Sequence, residues 1–347
     1  MANSSMECGA GKNYIHFTYA VTYTVILVPG LIGNVLALWI FYIYIKETKK
    51  AVIFMINLAL ADLAQVLSLP LRIYYYLNNS WPFGEFICMF CFYLKYVNMY
   101  ASIFFLACIS VRRCLFIIDP LRYTGDSLKR KCDVYVSIIG WFVVCLSCLS
   151  FPLMRRDSSS THSLNKTHCF TELPVANLTL GTGVTMMILG EMMGFLLPLC
   201  VIFTCSWKTA MSLLEENGVQ DSGEKKKAFK MVLCCAIVFL ICFAPYHITF
   251  PFHFLVMSGK LSTCSARTVI LHIHPITLCL ASMNSVLDPI MYYFTTDEFK
   301  RRFSRQELLK NGQFHRIVSC PVEEDQNGTG TTEIILLESL TPVPSES

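Results

Sequence analysis

Long apolar segments alternate with short polar segments along most of the chain. Seven of the apolar segments are long enough for a helix to cross the hydrocarbon core of a bilayer, which is about 30 Å thick and takes about 20 residues. They run approximately over residues 16–45, 52–77, 86–118, 133–154, 181–213, 228–257 and 266–294. The pattern therefore predicts an all-α membrane protein whose seven transmembrane helices form one bundle.

The composition agrees with this pattern and excludes an ordinary soluble fold. Hydrophobic residues make up 54% of the 347 positions and charged residues only 15%, whereas soluble domains average roughly 45–50% and 25%. A chain of this length suits a single bundle better than several domains. We therefore expect residues 16–294 to form one transmembrane domain, preceded by a short polar segment at residues 1–15.

Lysines and arginines are concentrated at one set of predicted helix ends, and this asymmetry predicts the orientation. The richer ends lie within residues 46–50, 112–131, 208–230 and 300–310. Because short cytoplasmic loops carry an excess of these residues, we expect these ends to be cytoplasmic and the amino terminus to be extracellular. Residues 1–15 lack the apolar core of a cleavable signal peptide, so the first helix is expected to act as its own uncleaved signal, and the expected location is the plasma membrane.

Glycosylation sequons mostly agree with this orientation. Asn3, Asn165 and Asn177 each begin a sequon on the extracellular side and are predicted glycosylation sites. The sequon at Asn78 is also extracellular but lies close to the membrane, and the sequon at Asn327 lies on the cytoplasmic side.

The segment after the seventh helix has a different pattern. Within residues 295–310, Phe299, Phe303 and Leu308 recur at helical spacing with basic residues between them. This spacing predicts an amphipathic helix lying on the inner membrane surface. Residues 311–347 are polar and rich in Glu, Ser, Thr and Gly, so we expect a disordered cytoplasmic tail.

Four cysteines are predicted to lie outside or at an outer helix end, where disulfides persist. They are Cys8, Cys88, Cys169 and Cys264. Four cysteines allow three pairings, and their spacing does not choose among them. A bridge from Cys88 to Cys169 would hold the second extracellular loop across the mouth of the bundle.

Polar side chains within the predicted helices form two layers, and the first lies nearer the cytoplasmic side. Its members are Asn34, Asp62, Asn98, Ser102, Asn284, Ser285 and Asp288. If Asp62 and Asp288 approach each other, mutual repulsion keeps one protonated unless a cation lies between them. Two interpretations stay open: a layer of interhelical hydrogen bonds, or a sodium site formed by Asp62, Ser102, Asn284 and Asp288.

The second layer lies nearer the extracellular side and is rich in cations. Arg72 follows the proline of SLPLR, Lys95 lies about two turns into the third helix, and Arg155 closes the fourth. Hydroxyl and imidazole groups are added by Tyr96, Tyr100, Tyr246 and His247. The planar guanidinium group of arginine suits phosphate and carboxylate. The layer therefore predicts an anion-binding cavity, unless the cations pair with acids or extend to the surface.

Glu191 is the one acid predicted in the outer half of the helices. A single carboxylate cannot neutralise both Arg72 and Lys95, and this imbalance favours an anion supplied by a ligand. Glu191 itself is either a structural partner of a neighbouring residue or the acceptor of an ammonium group on the ligand. The sequence leaves both roles open.

Together these motifs resemble the landmarks of a known family, in order along the helices. They are GLIGNV, NLALADL, Cys88 with Cys169, NMYASIFFLACISVRRC, Trp141, Pro198, FLICFAPYH and NSVLDPIMYY. Residues 16–308 resemble the rhodopsin-like (class A) G-protein-coupled receptors. Asp288 is similar to the pattern of the purinoceptor-like branch, and VTYTVILVPGLIGN, LSLPLRIYYYL, FYLKYVNMYAS and LICFAPYH resemble its lysophosphatidylserine receptors.

The resemblance implies disulfides Cys88–Cys169 and Cys8–Cys264 and a lysophospholipid ligand. In such receptors the phosphate and serine head group lies among basic and tyrosine residues, and the acyl chain runs between helices toward the lipid. The matching head-group contacts are Arg72, Tyr96, Tyr100, Arg155 and Phe170, with Lys95 and Tyr246 nearby. Met257 stands where related receptors carry a lysine, which leaves one cation fewer unless Lys260 reaches the head group.

The resemblance also implies a switch at the cytoplasmic end of the third helix. Most family members have an acid, an arginine and an aromatic residue there, and this chain has Arg112, Arg113 and Cys114. Arg113 would contact the G protein without the usual acid before it. We therefore expect elevated signalling without ligand, unless Arg113 finds a partner such as Tyr292.

The sixth helix would move in response to the ligand. Pro245 is expected to kink it, and Phe239 and Phe243 would repack as the helix swings outward to admit Gα. The implied partners are heterotrimeric G proteins, membrane lipids, and arrestin and receptor kinases at the tail, with no nucleic acid. Among G proteins the twelve/thirteen class is favoured, followed by the stimulatory class.

Other classes of protein fit the sequence less well. A transporter usually shows internal repeats with interrupted helices, and the seven unequal segments show no repeat. An enzyme needs a nucleophile with its base or a metal cluster, so we predict no enzymatic activity and no cofactor apart from sodium. The alternatives that stay open are a nucleotide-activated receptor of the same branch and a ligand-independent membrane scaffold.

Overall fold

Each of the seven apolar segments forms a helix in the computed structural model. It describes residues 11–48, 52–119, 127–150, 169–170, 180–214, 222–261 and 263–295. The first four helices are α1 (Lys12–Thr48), α2 (Ile53–Asn78), α3 (Glu85–Ile118) and α4 (Ser127–Cys148). The last three, each with an internal irregularity, are α5 (180–214), α6 (222–257) and α7 (264–295).

All seven described helices are long and apolar enough to cross a membrane, which confirms the predicted fold class. Large apolar side chains such as Val25, Phe142 and Phe203 are exposed on the outside of the bundle. In water so much exposed apolar surface would be costly, but in a bilayer it faces lipid. The chain divides into Met1–Arg302 and Phe303–Ser347, and every described residue belongs to the first unit.

The bounds of α4 differ most from the prediction, which placed the fourth helix at residues 133–154. The helix begins at Ser127 because charged residues before the apolar segment continue the same helical backbone. The element ends at Cys148, after which the Leu149 N–H donates to the Leu146 carbonyl in a tighter turn. Residues 151–154 of the predicted helix lie outside the described residues. Pro152, which cannot donate a backbone hydrogen bond, follows shortly after.

Two helices contain a wider π-helical turn just before a proline. The turns are Met192–Leu196 in α5 and Phe239–Phe243 in α6, and the prolines are Pro198 and Pro245. Proline lacks the N–H that would bond four residues back, so the helical ladder relaxes there. The sequence predicted an irregularity at Pro245 but gave no sign that it would be a π turn.

The seventh helix is interrupted at Met283, between Cys264–Ser282 and Asn284–Thr295. The Met283 N–H is shared between the carbonyls of Cys279 and Leu280. This local tightening falls beside Asn284 and Ser285, which belong to the predicted polar layer. The backbone irregularity therefore lies where polar side chains, rather than lipid, surround it.

The third helix lies at the centre of the bundle, since it contacts α2, α4, α5 and α6. We name the end of the bundle that contains the Cys88–Cys169 disulfide the outer end, and the end that contains Arg112 the inner end. Several predicted features lie outside the described residues. They are Arg155, Cys8, the sequons at Asn3, Asn165 and Asn177, and residues 296–347 with most of the amphipathic helix.

Candidate functional site

Arg72 lies in the interior of the bundle toward the outer end, two residues after the exposed Pro70 of α2. Its side chain is only 1% exposed. The guanidinium group donates to the carbonyl of Cys91 in α3 and lies 5.9 Å from the ring centre of Tyr23 and 5.5 Å from that of Phe170. Its Nε–H has no hydrogen-bond partner among the described residues, so the group retains an unused donor.

Lys95 supplies a second positive charge from α3. Its ammonium nitrogen lies 5.4 Å from the ring centre of Tyr19 and 5.9 Å from that of Tyr96. Among the described residues, neither Lys95 nor Arg72 forms an ion pair. Both cations are therefore held by neutral aromatic and carbonyl groups, which leaves their charge available to an anion.

The Cys88–Cys169 disulfide holds Phe170 next to Arg72. The bond is present as expected, with a Cα–Cα distance of 5.8 Å. Phe170 adopts a left-handed backbone conformation with φ of 55°, which is uncommon for a bulky residue. Its ring packs 5.9 Å from Tyr76 and 5.5 Å from Trp81. Cys264 is also disulfide-bonded.

Glu191 pairs with His247, 3.1 Å away, across the gap between α5 and α6. The imidazole ring stacks on Phe195 at 4.6 Å, and the ring of Tyr100 lies 5.9 Å from it. This geometry supports the structural role of Glu191 rather than the role of an acceptor for the ligand. The sequence named His247 as a donor but did not reveal this pairing.

The remaining predicted contacts lie close to these groups. Tyr246 is buried next to His247. Tyr100 packs against α5 at Gly194, where an added Cβ would lie 2.6 Å from the tyrosine ring. Glycine at this position is therefore what allows Tyr100 to fit between α3 and α5.

The inner polar layer forms as predicted around Asp62 of α2. One of its carboxylate oxygens accepts hydrogen bonds from Asn98 at 2.9 Å, Asn284 at 3.0 Å and Ser285 at 3.2 Å. Asn284 also donates to the Ser102 hydroxyl at 2.9 Å. These contacts join α2, α3 and α7 in a fully buried cluster.

Part of this layer is left unsatisfied, which bears on the sodium interpretation. The second oxygen of Asp62 and both oxygens of Asp288 have no hydrogen-bond partner among the described residues. Buried acceptors of this kind need a proton, a water molecule or a cation. Oxygen ligands suit a hard cation, so the residues present fit the predicted sodium site.

At the inner end, the two adjacent arginines of α3 point to different helices. Arg112 forms an ion pair of 3.3 Å with Asp133 of α4. The Nε of Arg113 donates to the Met231 sulfur of α6 at 2.9 Å. Sequence reasoning missed Asp133, because the pair joins residues that are distant along the chain.

Comparison with known proteins identifies the family. Residues 33–292 match the family described as 7 transmembrane receptor (rhodopsin family). The chain belongs to this family. It is therefore a receptor rather than an enzyme, a multi-pass plasma-membrane protein that binds a ligand and a heterotrimeric G protein.

Three human relatives place the receptor in the purinoceptor-like branch. It is 60% identical to Probable G-protein coupled receptor 174 over 308 residues, and these residues make up 88% of this chain and 91% of the relative. It is 47% identical over 288 residues to a protein named as a putative purinoceptor, covering 83% of each. It is 34% identical over 297 residues to Lysophosphatidic acid receptor 6, covering 85% of each.

In this receptor two of the predicted switch residues, Phe239 and Phe243, pack in a buried column next to the Glu191–His247 pair. Phe239 stacks on Phe195 of α5 at 5.5 Å and lies 6.0 Å from Phe243. Both phenylalanines are fully buried, and the π turn that contains them ends just before Pro245. The Tyr292 hydroxyl, further toward the inner end, donates to the Met55 carbonyl at 3.3 Å.

Proposed function

We propose that this receptor is activated by a lysophospholipid, specifically lysophosphatidylserine, which binds at the outer end of the bundle. In this proposal the outer end and the amino terminus are extracellular. The phosphate or carboxylate of the head group would lie at Arg72 and Lys95, and the predicted contacts Tyr96, Tyr100, Arg155 and Phe170 would complete the site.

The observation that carries the proposal is the environment of Arg72. A guanidinium group that is 1% exposed, with an unused donor and no carboxylate partner among the described residues, is costly to bury. An anion would repay that cost through charge-assisted and bidentate hydrogen bonds. Since Glu191 is already paired with His247, the anion would come from the ligand.

The choice of a lysophospholipid rests on the relatives and on the resemblance. One relative is named as a receptor for lysophosphatidic acid, which supports a single-chain phospholipid. The motifs LSLPLRIYYYL and FYLKYVNMYAS favour the serine head group. Another relative is named as a purinoceptor, so a nucleotide is the second candidate, because nucleotide phosphates need the same cations.

For signalling, we infer that Arg113 contacts Gα when α6 moves away from α3. The twelve/thirteen class of Gα is our first expectation and the stimulatory class the second. Arrestin and receptor kinases would act at the tail. We also infer that a sodium ion binds among Asp62, Ser102, Asn284 and Asp288 and stabilises the ligand-free arrangement.

The test is a dose response of Gα dissociation in cells that express the receptor at a measured surface density. Lysophosphatidylserine, lysophosphatidic acid and nucleoside diphosphates would be compared, each against cells with empty vector. We expect a saturable response to lysophosphatidylserine, with a half-maximal concentration lower than that of lysophosphatidic acid or of the nucleotides. A stronger response to a nucleotide would favour the second candidate, and no response to any of them would favour a ligand-independent scaffold.

A further inference from the structure

We propose that Asp133 of α4 is a positioning residue for G-protein coupling, acting through Arg112 to present Arg113 to the crevice between α3 and α6. The proposal rests on the role of Arg113 given above. Asp133 itself does not need to touch the G protein.

The geometry separates the two arginines. Successive residues of an α-helix point about 100° apart. Arg112 is directed to Asp133 of α4 at 3.3 Å, while the Nε of Arg113 is directed to Met231 of α6 at 2.9 Å. The ion pair therefore lies on a different side of α3 from the contact with α6, the helix expected to move.

Asp133 lies near the inner end of α4. It is buried, with 6% of its surface exposed, and its carbonyl accepts the Ser137 hydroxyl at 2.8 Å. Two turns further along α4, the Trp141 indole donates to Asn57 of α2 at 2.8 Å. Because the Trp141–Asn57 hydrogen bond links α4 to α2, the carboxylate of Asp133 can hold Arg112 in one direction.

The Arg112–Asp133 pair also determines which positive charge faces α6. Arg112 and Arg113 are adjacent cations in a partly buried place, where repulsion is stronger than in water. The carboxylate of Asp133 offsets the charge of Arg112, so the positive charge that faces the crevice is that of Arg113. If the carboxylate charge is removed, the charge of Arg112 is no longer offset by Asp133. Arg112 and Arg113 then repel each other more strongly, and each disturbs the position of the other.

The experiment measures nucleotide exchange on purified Gα, with and without lysophosphatidylserine, for the full receptor in phospholipid vesicles. The test variants are Asp133→Asn, Arg112→Gln and the double variant that carries both substitutions. The matched control is Lys131→Gln, because Lys131 is an exposed residue of α4. We expect Asp133→Asn to lower the maximal exchange rate about fivefold. The double variant should recover most of the loss, since it removes the unbalanced charge, and Lys131→Gln should match the unmodified chain.

Recovery in the double variant distinguishes positioning by charge from simple packing, which a second substitution would not repair. An exchange rate for Asp133→Asn equal to that of the unmodified receptor would overturn the proposal. A double variant as impaired as Asp133→Asn would also overturn it. The Arg113→Ala variant tests the role of Arg113 separately from that of Asp133. Full activity in Arg113→Ala would contradict the proposed contact of Arg113 with the G protein.

Discussion

Asp62 and Asp288 are two buried carboxyl groups with three oxygens that have no hydrogen-bond partner among the described residues. Burying two like charges side by side is unfavourable unless a proton or a cation is shared between them. The hydrogen bonds from Asn98, Asn284 and Ser285 all converge on a single oxygen of Asp62. The remaining oxygens therefore need either a shared proton or a coordinated ion.

We predict that sodium stabilises the ligand-free receptor and that Asp62→Asn removes this effect. At a sodium concentration ten times its dissociation constant, the free energy of unfolding would rise by about 1.4 kcal/mol. The measurement is the apparent melting temperature in sodium chloride and in choline chloride at equal ionic strength. The same melting temperature in both salts for the unmodified receptor would leave hydrogen bonding as the role of this layer.

At the level of residues, the sequence predicts which side chains are polar inside the bundle but not how they pair. Arg72, Lys95 and Asp62 stand out because a charge in an apolar helix is expensive. The Glu191–His247 and Arg112–Asp133 pairs do not stand out, because each joins two helices whose relative rotation and depth come from packing. Such pairs appear only once the helices are placed against one another.

Helices α3 and α4 approach closely at a glycine. A Cβ added at Gly140 would lie 2.2 Å, 2.6 Å and 2.9 Å from three ring atoms of Phe104. Gly190 of α5 is different, since an added Cβ there would meet no atom within 4 Å. The two glycines therefore form a matched pair, one at a helix contact and one facing outward.

We predict that Gly140→Ala destabilises the receptor by about 1–3 kcal/mol, because Phe104 must move to accommodate the methyl group. Gly190→Ala should leave the stability unchanged or raise it by up to about 1 kcal/mol, since alanine favours the helix. Thermal unfolding of both variants in the same detergent checks this. Equal melting temperatures for the two variants would mean that α3 and α4 are not packed as closely as described.

At the level of elements, the apolar segments predict all seven helices, while their ends and irregularities depend on local hydrogen bonding. The α4 helix starts before its apolar segment because hydropathy marks the membrane rather than the helix. The π turns before Pro198 and Pro245 were not predicted, since proline removes a donor without specifying how the ladder adjusts.

Across the whole molecule, the structure places the cations Arg72 and Lys95 toward the outer end and the arginines of α3 at the inner end. Between them lie the Glu191–His247 pair, the column of Phe239 and Phe243, and the layer around Asp62. In our account an anion at Arg72 alters the packing of this column, and α6 moves away from Arg113. The account depends above all on whether Arg72 binds the ligand.

The most direct test is equilibrium binding of lysophosphatidylserine to the purified receptor in lipid nanodiscs. The unmodified chain would be compared with Arg72→Gln and with Arg267→Gln, which removes an exposed cation at the outer end of α7. Loss of charged hydrogen bonds predicts a dissociation constant about tenfold to a hundredfold larger for Arg72→Gln and an unchanged constant for Arg267→Gln. Equal affinity in all three, with Arg72→Gln folded, would contradict the proposed site.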